Sequence, residues 1–259
     1  MAKCGLSLGG GISLGTGVGG HSRETAVGRP AGPVGTMVRM ASTAPRPTPA
    51  PRTAPLTVGF DLDMTLIDSR PGIAAAYRAL SAETGVRIDD ALVVSRIGPP
   101  LEEELAHWFP AAEVAAAGDR YRELYPDHAI APTTALAGAR DSVAEVRALG
   151  GRAIVVTAKY EPNAKLHLAH LGIEPDAVVG WLWAEAKGEA LREHGAQVYV
   201  GDHTGDVRGA RAAGALSVAV TTGPCDAQEL RAAGADVVLD DLTEFPAWLR
   251  AFEADRAAA

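Results

Sequence analysis

The chain has 259 residues, of which 47% are hydrophobic and 22% are charged, the composition of an ordinary globular protein. The chain has only two cysteines, which excludes a disulfide-dense secreted module and a zinc site built from several cysteines. It contains no run of about 18 apolar residues, so the sequence predicts no membrane-spanning helix. The formal net charge is −8, although residues 1–56 hold six basic residues and one acidic residue. The remainder is therefore acidic and lacks the clustered Lys and Arg that bind nucleic-acid phosphates.

The first 55 residues differ from the rest of the chain in composition and in hydrophobic pattern. Residues 1–56 contain 11 Gly and 7 Pro and have almost no apolar periodicity. Such a segment buries too little apolar surface to offset the entropy of ordering it. We therefore expect residues 1–55 to be a disordered tail, with a targeting peptide as the alternative that its basic, nearly acid-free composition leaves open.

From residue 56 onward, short β-branched runs alternate with helical patterns. The predicted strands are 56–60, 152–157, 176–180, 197–201, 216–220 and 236–239. The helical patterns occupy 138–149, 161–171, 186–194, 206–213 and 226–233, and several end in Gly, as helices commonly do. This alternation predicts an α/β fold, a Rossmann-like parallel sheet with helices on both faces. The carboxyl ends of its strands meet at one edge, where ligands bind in such folds.

One interval, residues 70–134, interrupts the alternation. It contains no convincing strand, and its helical patterns lie at 71–85, 100–109 and 111–127. Because it follows the first strand directly, it stands above the ligand edge of the sheet, and we interpret it as an inserted all-helical cap. The predicted domains are thus a core of residues 56–69 and 135–250 and a cap of residues 70–134. A helical subdomain without contact to the site is the alternative.

The strongest motif is 58-VGFDLDMTLIDS-69, in which Asp61 and Asp63 follow the first predicted strand and Thr65 comes next but one. Side chains at i and i+2 of an extended segment point the same way, so both carboxylates are directed into one small space at the sheet edge. Like charges this close are costly unless a cation or a shared proton relieves them.

A second acidic pair ends another predicted strand, in 198-VYVGDHTGDV-207, where Asp202 and Asp206 follow Gly201. Four carboxylates at one edge of a parallel sheet favour a hard, oxygen-preferring divalent ion such as Mg²⁺. Taken alone, Asp206 also fits a cap for the helix that begins near it.

Two polar residues complete the pattern at other strand ends. Thr157 ends its strand and is followed by Ala158 and Lys159, and a hydroxyl there, with free N–H groups beyond it, suits a phosphate oxygen. Lys187 lies at the start of a predicted helix, where its charge opposes the macrodipole. A nearby anion would account for that position.

Taken in order, these four segments resemble the motifs of the haloacid dehalogenase superfamily, and within it the phosphoglycolate-phosphatase-like hydrolases with a helical cap after the first motif. FDLDMTLIDS resembles the first motif, VVTAK the second, the Lys187 segment the third and VGDHTGD the fourth, and the resemblance spans about residues 56–245. Many relatives have Gly where this chain has Met64, which bears on the packing of that loop. Relatives that cleave carbon–halogen bonds generally lack a second Asp, so Asp63 favours phosphoryl transfer.

The resemblance implies a Mg²⁺-dependent phosphatase that acts through an aspartyl-phosphate. Asp61 would be the nucleophile and Asp63 the general acid and base, while Thr157 and Lys187 would be the other catalytic residues and stabilise the transferring phosphoryl group. The implied metal ligands are Asp61, Asp63 through its main-chain carbonyl, Asp202, and Asp206 directly or through water. The implied substrate-binding residues are Thr65, Thr157, Ala158, Lys159 and Lys187.

The expected partner is a small phosphorylated metabolite resembling phosphoglycolate. The expected protein is a cytoplasmic monomer or homodimer that binds neither nucleic acid nor a membrane. A phosphomutase of the same superfamily that acts on a sugar phosphate, and a non-catalytic phosphate-binding protein, are the alternatives left open. The segment 70–134 contains no Lys, which argues against a phosphonate-cleaving relative that needs a Schiff base in its cap.

Other conspicuous residues have structural interpretations at least as good as functional ones. Arg70 and Arg96 are candidates to meet a substrate anion, although both are expected to be solvated or ion-paired. The residues expected to fill loops, lie on the surface or pack are His167, His170, His203, Trp181 and Trp183, and Cys225 has no base nearby in sequence.

Overall fold

The computed structural model of the protein describes residues 55–258. The predicted disordered tail lies outside the described residues, apart from Pro55. The strands are β1 (Thr57–Phe60), β2 (Ile67–Asp68), β3 (Thr134–Ala135), β4 (Arg152–Val156), β5 (Ala177–Val179), β6 (Val198–Gly201), β7 (Leu216–Val220) and β8 (Val237–Leu239). The helices are α1 (Arg70–Thr84), α2 (Asp90–Val94), α3 (Leu101–Leu105), α4 (Val114–Ala129), α5 (Ala139–Ala148), α6 (Glu161–His170), α7 (Lys187–Glu193), α8 (Thr204–Ala213), α9 (Ala227–Ala233) and α10 (Phe245–Ala258).

Six strands form one parallel sheet in the order β5-β4-β1-β6-β7-β8. The α/β fold predicted from the alternation of strands and helices is therefore confirmed, with every predicted strand in this sheet. β1 lies at the centre of the sheet and pairs with β4 on one side and β6 on the other. The chain order reverses across β1, and the crevice above such a switch point is where ligands bind in open α/β sheets.

Successive side chains of the strands belong alternately to two separate hydrophobic clusters, one on each face of the sheet. Val198 and Val200 of β6 join the cluster that packs under α5, α6 and α10, whereas Tyr199 between them joins the opposite cluster with α7 and α8. Because successive side chains of a strand point to opposite faces, this division follows from the apolar character of the strands at every position. Both faces are covered, as a parallel sheet requires.

The predicted cap segment, residues 70–134, contains α1 to α4 and has a hydrophobic cluster of its own, which includes Tyr77, Leu80, Leu105, Tyr121 and Tyr125. Two details differ from the sequence expectation. The helix predicted at 100–109 ends as α3 at Leu105, and α2 lies in a stretch that showed no clear pattern. The division into core and cap domains itself remains the prediction made from the sequence.

A short antiparallel pair joins the two ends of this segment, with Ile67 opposite Ala135 and Asp68 opposite Thr134. The sequence did not indicate these strands because two residues carry no readable periodicity. α10 extends eight residues beyond the predicted end of the core at residue 250. Within residues 55–258, no helix combines the length and the apolar character needed to cross a bilayer.

Candidate active site

Asp61 lies directly after β1, at the centre of the carboxyl edge of the sheet. Its N–H donates to the Val200 carbonyl at 2.8 Å, which continues the pairing of β1 with β6 and fixes the direction of the side chain. Three residues on, Met64 is buried and has a φ of +58°, a conformation that costs a non-glycine residue about 1–2 kcal/mol. The departure from glycine noted in the sequence therefore falls on a left-handed residue, whose carbonyl is held by the Thr222 hydroxyl at 2.5 Å.

Three buried carboxylates, from Asp61, Asp202 and Asp206, each present an oxygen within 4.8 Å of the others. Burial raises the pKa of Asp61 to about 6; Lys187 opposes this rise, while Asp206 and Asp63 add to it. Burial, followed by repulsion from Asp206 and Asp61, raises the pKa of Asp202 well above its usual value. The cluster therefore carries more negative charge than its surroundings relieve.

A divalent cation fits this cluster chemically. Carboxylate oxygens are the ligands that Mg²⁺ prefers. The Oδ1 atom of Asp61 is buried and accepts no hydrogen bond, although the Lys187 ammonium lies 3.0 Å away. The carboxylate of Asp63 is not part of the cluster, which leaves its main-chain carbonyl, as the resemblance implied, for any role at the metal.

Lys187 is fully buried among the carboxylates. Its ammonium donates to Asp206 Oδ1 at 2.6 Å and to the Tyr199 hydroxyl at 2.9 Å. Burial alone would lower the pKa of Lys187, but Asp206 and Asp61 outweigh that effect and raise it above its usual value. The charge at this helix start is therefore satisfied by anions, as the sequence suggested, and the lysine remains an ammonium.

Asp206 has two roles at once. Oδ1 accepts from Lys187, and Oδ2 accepts from the His203 N–H at 3.0 Å, which closes a capping box at the start of α8. The capping role considered in the sequence is thus present beside the role in the cluster. A Cβ at Gly201 would lie 2.4 Å from the Asp206 carboxyl carbon, so only glycine leaves room for this carboxylate.

Thr65 lies behind the acidic cluster. Its side chain is fully buried and its hydroxyl donates to Asp202 Oδ1 at 2.9 Å, so its visible role is to orient that carboxylate. Thr65 does not line the cavity described below. Its implied contact with substrate remains a prediction.

Asp63 belongs to a second network that runs away from the cluster. Its Oδ1 lies 3.0 Å from the Lys159 ammonium, which also donates to the Tyr125 hydroxyl at 2.7 Å. That hydroxyl lies 3.0 Å from His167 Nε2. Burial, followed by the positive charge of Lys159, lowers the pKa of His167 to about 3, so the imidazole is neutral at pH 7. Tyr125 on α4 thus links the cap segment to the core beside the predicted general acid.

A cavity of about 370 Å³ opens between the cap segment and the sheet edge. Asp61, Asp63, Thr157, Ala158 and Lys159 line it together, so five of the sequence-predicted site residues share one space. Lys187, Asp202 and Asp206 lie behind Asp61 and do not line it. The Thr157 hydroxyl accepts from the Lys159 N–H at 3.2 Å, which ties the two residues of the second motif together.

The other candidates divide between the cavity and the surface. Arg96 lines the cavity but is ion-paired with Glu104, and Arg70 is paired with Asp68 on the surface. Trp181 and Trp183, expected to pack, line the cavity, and Trp181 is 63% exposed. His203 caps α8 and lies against the Trp183 ring.

Tyr199, Tyr125 and His167 are the site residues that sequence reasoning missed or treated as packing. Tyr199 occupies an inward-facing strand position, so it resembled an ordinary core residue. A buried tyrosine needs a partner for its hydroxyl, and the position of Tyr199 three residues before Asp202 was the available signal. Tyr125 and His167 meet only because α4 packs near α6, which local sequence does not encode.

The family model for haloacid dehalogenase-like hydrolases matches residues 58–220. The chain therefore belongs to the haloacid dehalogenase-like hydrolases, which confirms the resemblance drawn from the four motifs. The matched range begins in β1 and ends with β7, so it contains all four motif segments and the cap segment.

Several curated relatives are phosphoglycolate phosphatases, in agreement with the phosphoglycolate-phosphatase-like subgroup. A phosphoglycolate phosphatase of Chromobacterium violaceum is 33% identical over 214 residues, which cover 72% of this chain and 93% of the relative. The tyrosine-protein kinase PtkA of Mycobacterium tuberculosis is 32% identical over 188 residues, covering 67% of this chain. This match spans only 65% of the length of PtkA. The sequence-based assignment to the phosphoric monoester hydrolases is in line with the phosphatase relatives.

Solved structures share the same architecture. A haloacid dehalogenase-like family protein from Streptococcus pneumoniae aligns with a TM-score of 0.67 at 26% identity, covering 75% of this chain and 98% of that protein. CbbY from Rhodobacter sphaeroides, solved in complex with phosphate, aligns with a TM-score of 0.63 at 21% identity. The second likeness concerns the fold alone.

Proposed function

We propose that the protein is a Mg²⁺-dependent phosphatase that hydrolyses a small phosphorylated metabolite through an aspartyl-phosphate. The observation that carries this proposal is the arrangement of Asp61 between a buried acidic cluster and an open cavity. One side of Asp61 offers a cation site, and the other offers access to a phosphate ester next to a second carboxylate, Asp63.

In the first step, a carboxylate oxygen of Asp61 attacks phosphorus and the bond from phosphorus to the ester oxygen breaks. The departing alkoxide takes a proton from Asp63, which lies on the same loop and lines the same cavity. Lys159, 3.0 Å from Asp63, holds that carboxyl group in place. The products of this step are the free alcohol and a phosphorylated Asp61.

In the second step, Asp63 accepts a proton from a water molecule, which attacks phosphorus and releases inorganic phosphate from Asp61. Lys187 and the Thr157 hydroxyl stabilise negative charge on the transferring group, the principal task in this type of reaction. Lys187 reaches the reaction through Asp61, whose carboxylate lies 3.0 Å from its ammonium. Asp61 is thereby regenerated as a carboxylate, and Asp63 is regenerated as the carboxylic acid that donated the proton in the first step.

Asp61, Asp202 and Asp206 are the residues that would hold Mg²⁺, with Thr65 orienting Asp202 and His203 orienting Asp206. The bound ion would neutralise the charge that otherwise repels an anionic ester from an anionic nucleophile. Both carboxylate oxygens of Asp206 already accept hydrogen bonds, from Lys187 and from the His203 N–H, whereas Asp202 accepts one from Thr65 on a single oxygen, so Asp206 has one oxygen less to offer.

The test compares the wild-type protein with Asp61→Asn on a panel of phosphate esters. We expect inorganic phosphate release by the wild type with Mg²⁺, none in EDTA, restored activity when Mg²⁺ is returned, and a loss of at least about 1,000-fold in Asp61→Asn. Circular dichroism shows whether the variant is folded. Activity that persists in chelator removes the metal from the scheme, and near-normal turnover by a folded Asp61→Asn removes the nucleophile.

PtkA, a relative that is named a tyrosine-protein kinase, suggests transfer of a phosphoryl group to tyrosine as a second candidate. The same aspartate chemistry would then deliver the group to a phenol instead of water. A nucleoside triphosphate labelled at its terminal phosphate separates the two: label on protein tyrosine supports transfer, whereas free labelled phosphate supports hydrolysis. A phosphomutase on a sugar phosphate would be recognised by an isomerised sugar phosphate as product.

A further inference from the structure

The cavity is large for a two-carbon leaving group. Its volume of about 370 Å³ lies within the range of roughly 300–1,000 Å³ for pockets that bury drug-sized ligands. Asp61, Asp63 and Thr157, which follow strands of the sheet, are part of its lining. The remaining volume extends under the cap segment, where the part of the ester that leaves as an alcohol would lie.

Six aromatic rings form part of the cavity lining, beside aliphatic side chains such as those of Ile73 and Val93. The rings that line the cavity belong to Tyr77, Tyr121, Tyr125, Tyr160, Trp181 and Trp183. Trp181 and Tyr160 lie side by side, with ring centroids 5.2 Å apart, yet Trp181 is 63% exposed. An indole exposed to this extent at a cavity wall leaves apolar surface that a planar ring of a ligand can cover.

The cationic side chains of the cavity lining are already neutralised by carboxylates. Arg96 makes a two-pronged contact with Glu104, at 3.0 and 2.5 Å. Arg122 is ion-paired with Glu102 and lies 5.3 Å above the Trp181 ring. Lys159 is paired with Asp63. Among the described residues that line the cavity, each Lys and Arg therefore has an acidic partner.

A carboxylate on the leaving group would meet an unfavourable environment here. It would have to displace Glu102 or Glu104 from an arginine, and the displaced carboxylate would stay nearby as a like charge. A neutral planar ring meets neither cost and gains contact with Trp181, Tyr160 and the Arg122 guanidinium, which itself prefers aromatic faces. The charge pattern and the ring pattern of the cavity thus favour the same kind of leaving group.

We propose that the substrate is a phosphate monoester whose leaving group carries a planar ring and no carboxylate, with the ring seated against Trp181 under α4. This inference rests on the phosphatase activity proposed above. Two sources of such a ring differ in its distance from phosphorus: a benzyl-type ring next to the ester oxygen, and a nucleobase separated from it by a ribose.

Two matched substrate pairs test the inference on the wild-type protein with Mg²⁺. Adenosine 5′-monophosphate and ribose 5-phosphate differ only in the base, and benzyl phosphate and phosphoglycolate are both esters of primary alcohols. We expect kcat/KM for the ring-bearing member of at least one pair to exceed that of its partner by about tenfold or more. The preferred pair identifies the source of the ring. Equal values in both pairs, or a preference for the ring-free member of both pairs, overturn the inference while leaving the phosphatase proposal intact.

Variants locate the effect in the cavity. Trp181→Ala is expected to abolish the preference for the ring, Trp181→Phe to retain most of it, and Leu166→Ala, which removes an apolar side chain 42% exposed on α6, to leave it unchanged. A ring preference that survives in Trp181→Ala overturns the proposed seat. Glu104→Gln frees Arg96 and is expected to raise kcat/KM for phosphoglycolate severalfold, whereas Glu103→Gln, on an exposed neighbour outside the cavity lining, is not. No gain in Glu104→Gln overturns the argument from charge.

Binding separates this inference from the activity on which it rests. If no ester is hydrolysed, the phosphatase proposal fails, and calorimetric titration of the wild type with benzyl phosphate and with phosphoglycolate in the presence of Mg²⁺ still reports on the cavity. Tighter binding of benzyl phosphate supports the ring seat, and tighter or equal binding of phosphoglycolate overturns it.

Discussion

The two buried lysines of the site are surrounded by different parts of the chain. Lys187 contacts Asp61, Asp206 and Tyr199, all of which lie on strands, helices or strand ends of the sheet domain. Lys159 contacts Asp63 and Tyr125, and Tyr125 belongs to α4 in the cap segment. One lysine therefore depends on the sheet alone, and the other depends on how the cap segment is docked.

The difference between the two lysines separates the surroundings of Asp61 from those of Asp63. The proposed nucleophile Asp61 and the proposed metal ligands come together whenever the sheet is folded, because their strand ends are fixed by the main-chain pairing of β1 with β6. The position of Asp63, the proposed proton donor, also depends on Tyr125 through Lys159, so movement of the cap segment would change Asp63 without disturbing Asp61. Closure of a lid over a substrate commonly completes a catalytic site in this way.

The largest expected effect comes from Lys187→Met. Methionine matches lysine as far as Cε but leaves three buried carboxylates without their ammonium, so we expect activity to fall at least about 1,000-fold and the free energy of unfolding to fall by about 3–5 kcal/mol. Steady-state kinetics and urea unfolding measure the two effects. Lys165→Met makes the same substitution on exposed α6 and is the control. A stable, active Lys187→Met protein would contradict the description of this cluster.

Tyr125→Phe should have a smaller effect, confined to the other network. The variant removes the hydroxyl that holds Lys159 in place and retains the ring. We expect kcat to fall about tenfold, with KM changed less than about twofold, because the geometry of the proton donor changes while the phosphate site does not.

Tyr77→Phe is the matched control for this variant, since Tyr77 lines the same cavity but does not contact Lys159. If both variants lose activity equally, the loss reflects a changed cavity wall rather than the network. If neither loses activity, the link between α4 and Asp63 has no role in turnover.

The third effect leaves activity aside and concerns how the free energy of unfolding depends on pH. The pKa of His167 is lowered to about 3 in the folded protein by burial and by Lys159, against about 6.5 when unfolded. Above pH 6.5 both states hold a neutral ring; as the pH falls below 6.5, only the unfolded state takes up the proton, so stability is lost. At pH 5 this one group should lower the free energy of unfolding by about 2 kcal/mol.

The measurement compares unfolding of the wild type, His167→Gln and His170→Gln at pH 7.5 and pH 5. The decrease in stability between the two pH values should be smaller by about 2 kcal/mol in His167→Gln than in the wild type. His170→Gln, on the same helix but more exposed, should behave as the wild type does. Equal pH dependence in all three proteins would mean that His167 titrates normally.

The same contrast governs how much the sequence could reveal. The acidic pairs, Thr157 and Lys187 all follow strands or begin helices, and the parallel sheet brings such positions to one edge, so Asp61, Asp202, Asp206 and Lys187 were predicted together. The second network could not be predicted from the sequence, because it forms only when α4 is docked against α6. It consists of Asp63, Lys159, Tyr125 and His167. The seat at Trp181 was missed for a similar reason, since its partner Arg122 comes from the cap segment.

Local backbone features show a comparable limit. The pairing of Ile67 with Ala135 joins residues far apart in the chain through strands too short for any pattern. The strain at Met64 could be inferred only from the glycine that relatives often have there, and its size depends on a positive φ that the sequence does not encode.

The different exposure of the lysines also means that a reagent that acylates amines should label them selectively in the folded protein. Among residues 55–258 the lysines are Lys159, Lys165 and Lys187, and only the side chain of Lys165 is substantially exposed, at 59%. Within that range, a mild acylating reagent should therefore label α6 and spare the chemistry of the site. Label that later accumulates on Lys159 but not on Lys187 would register excursions in which α4 lifts while the sheet stays intact.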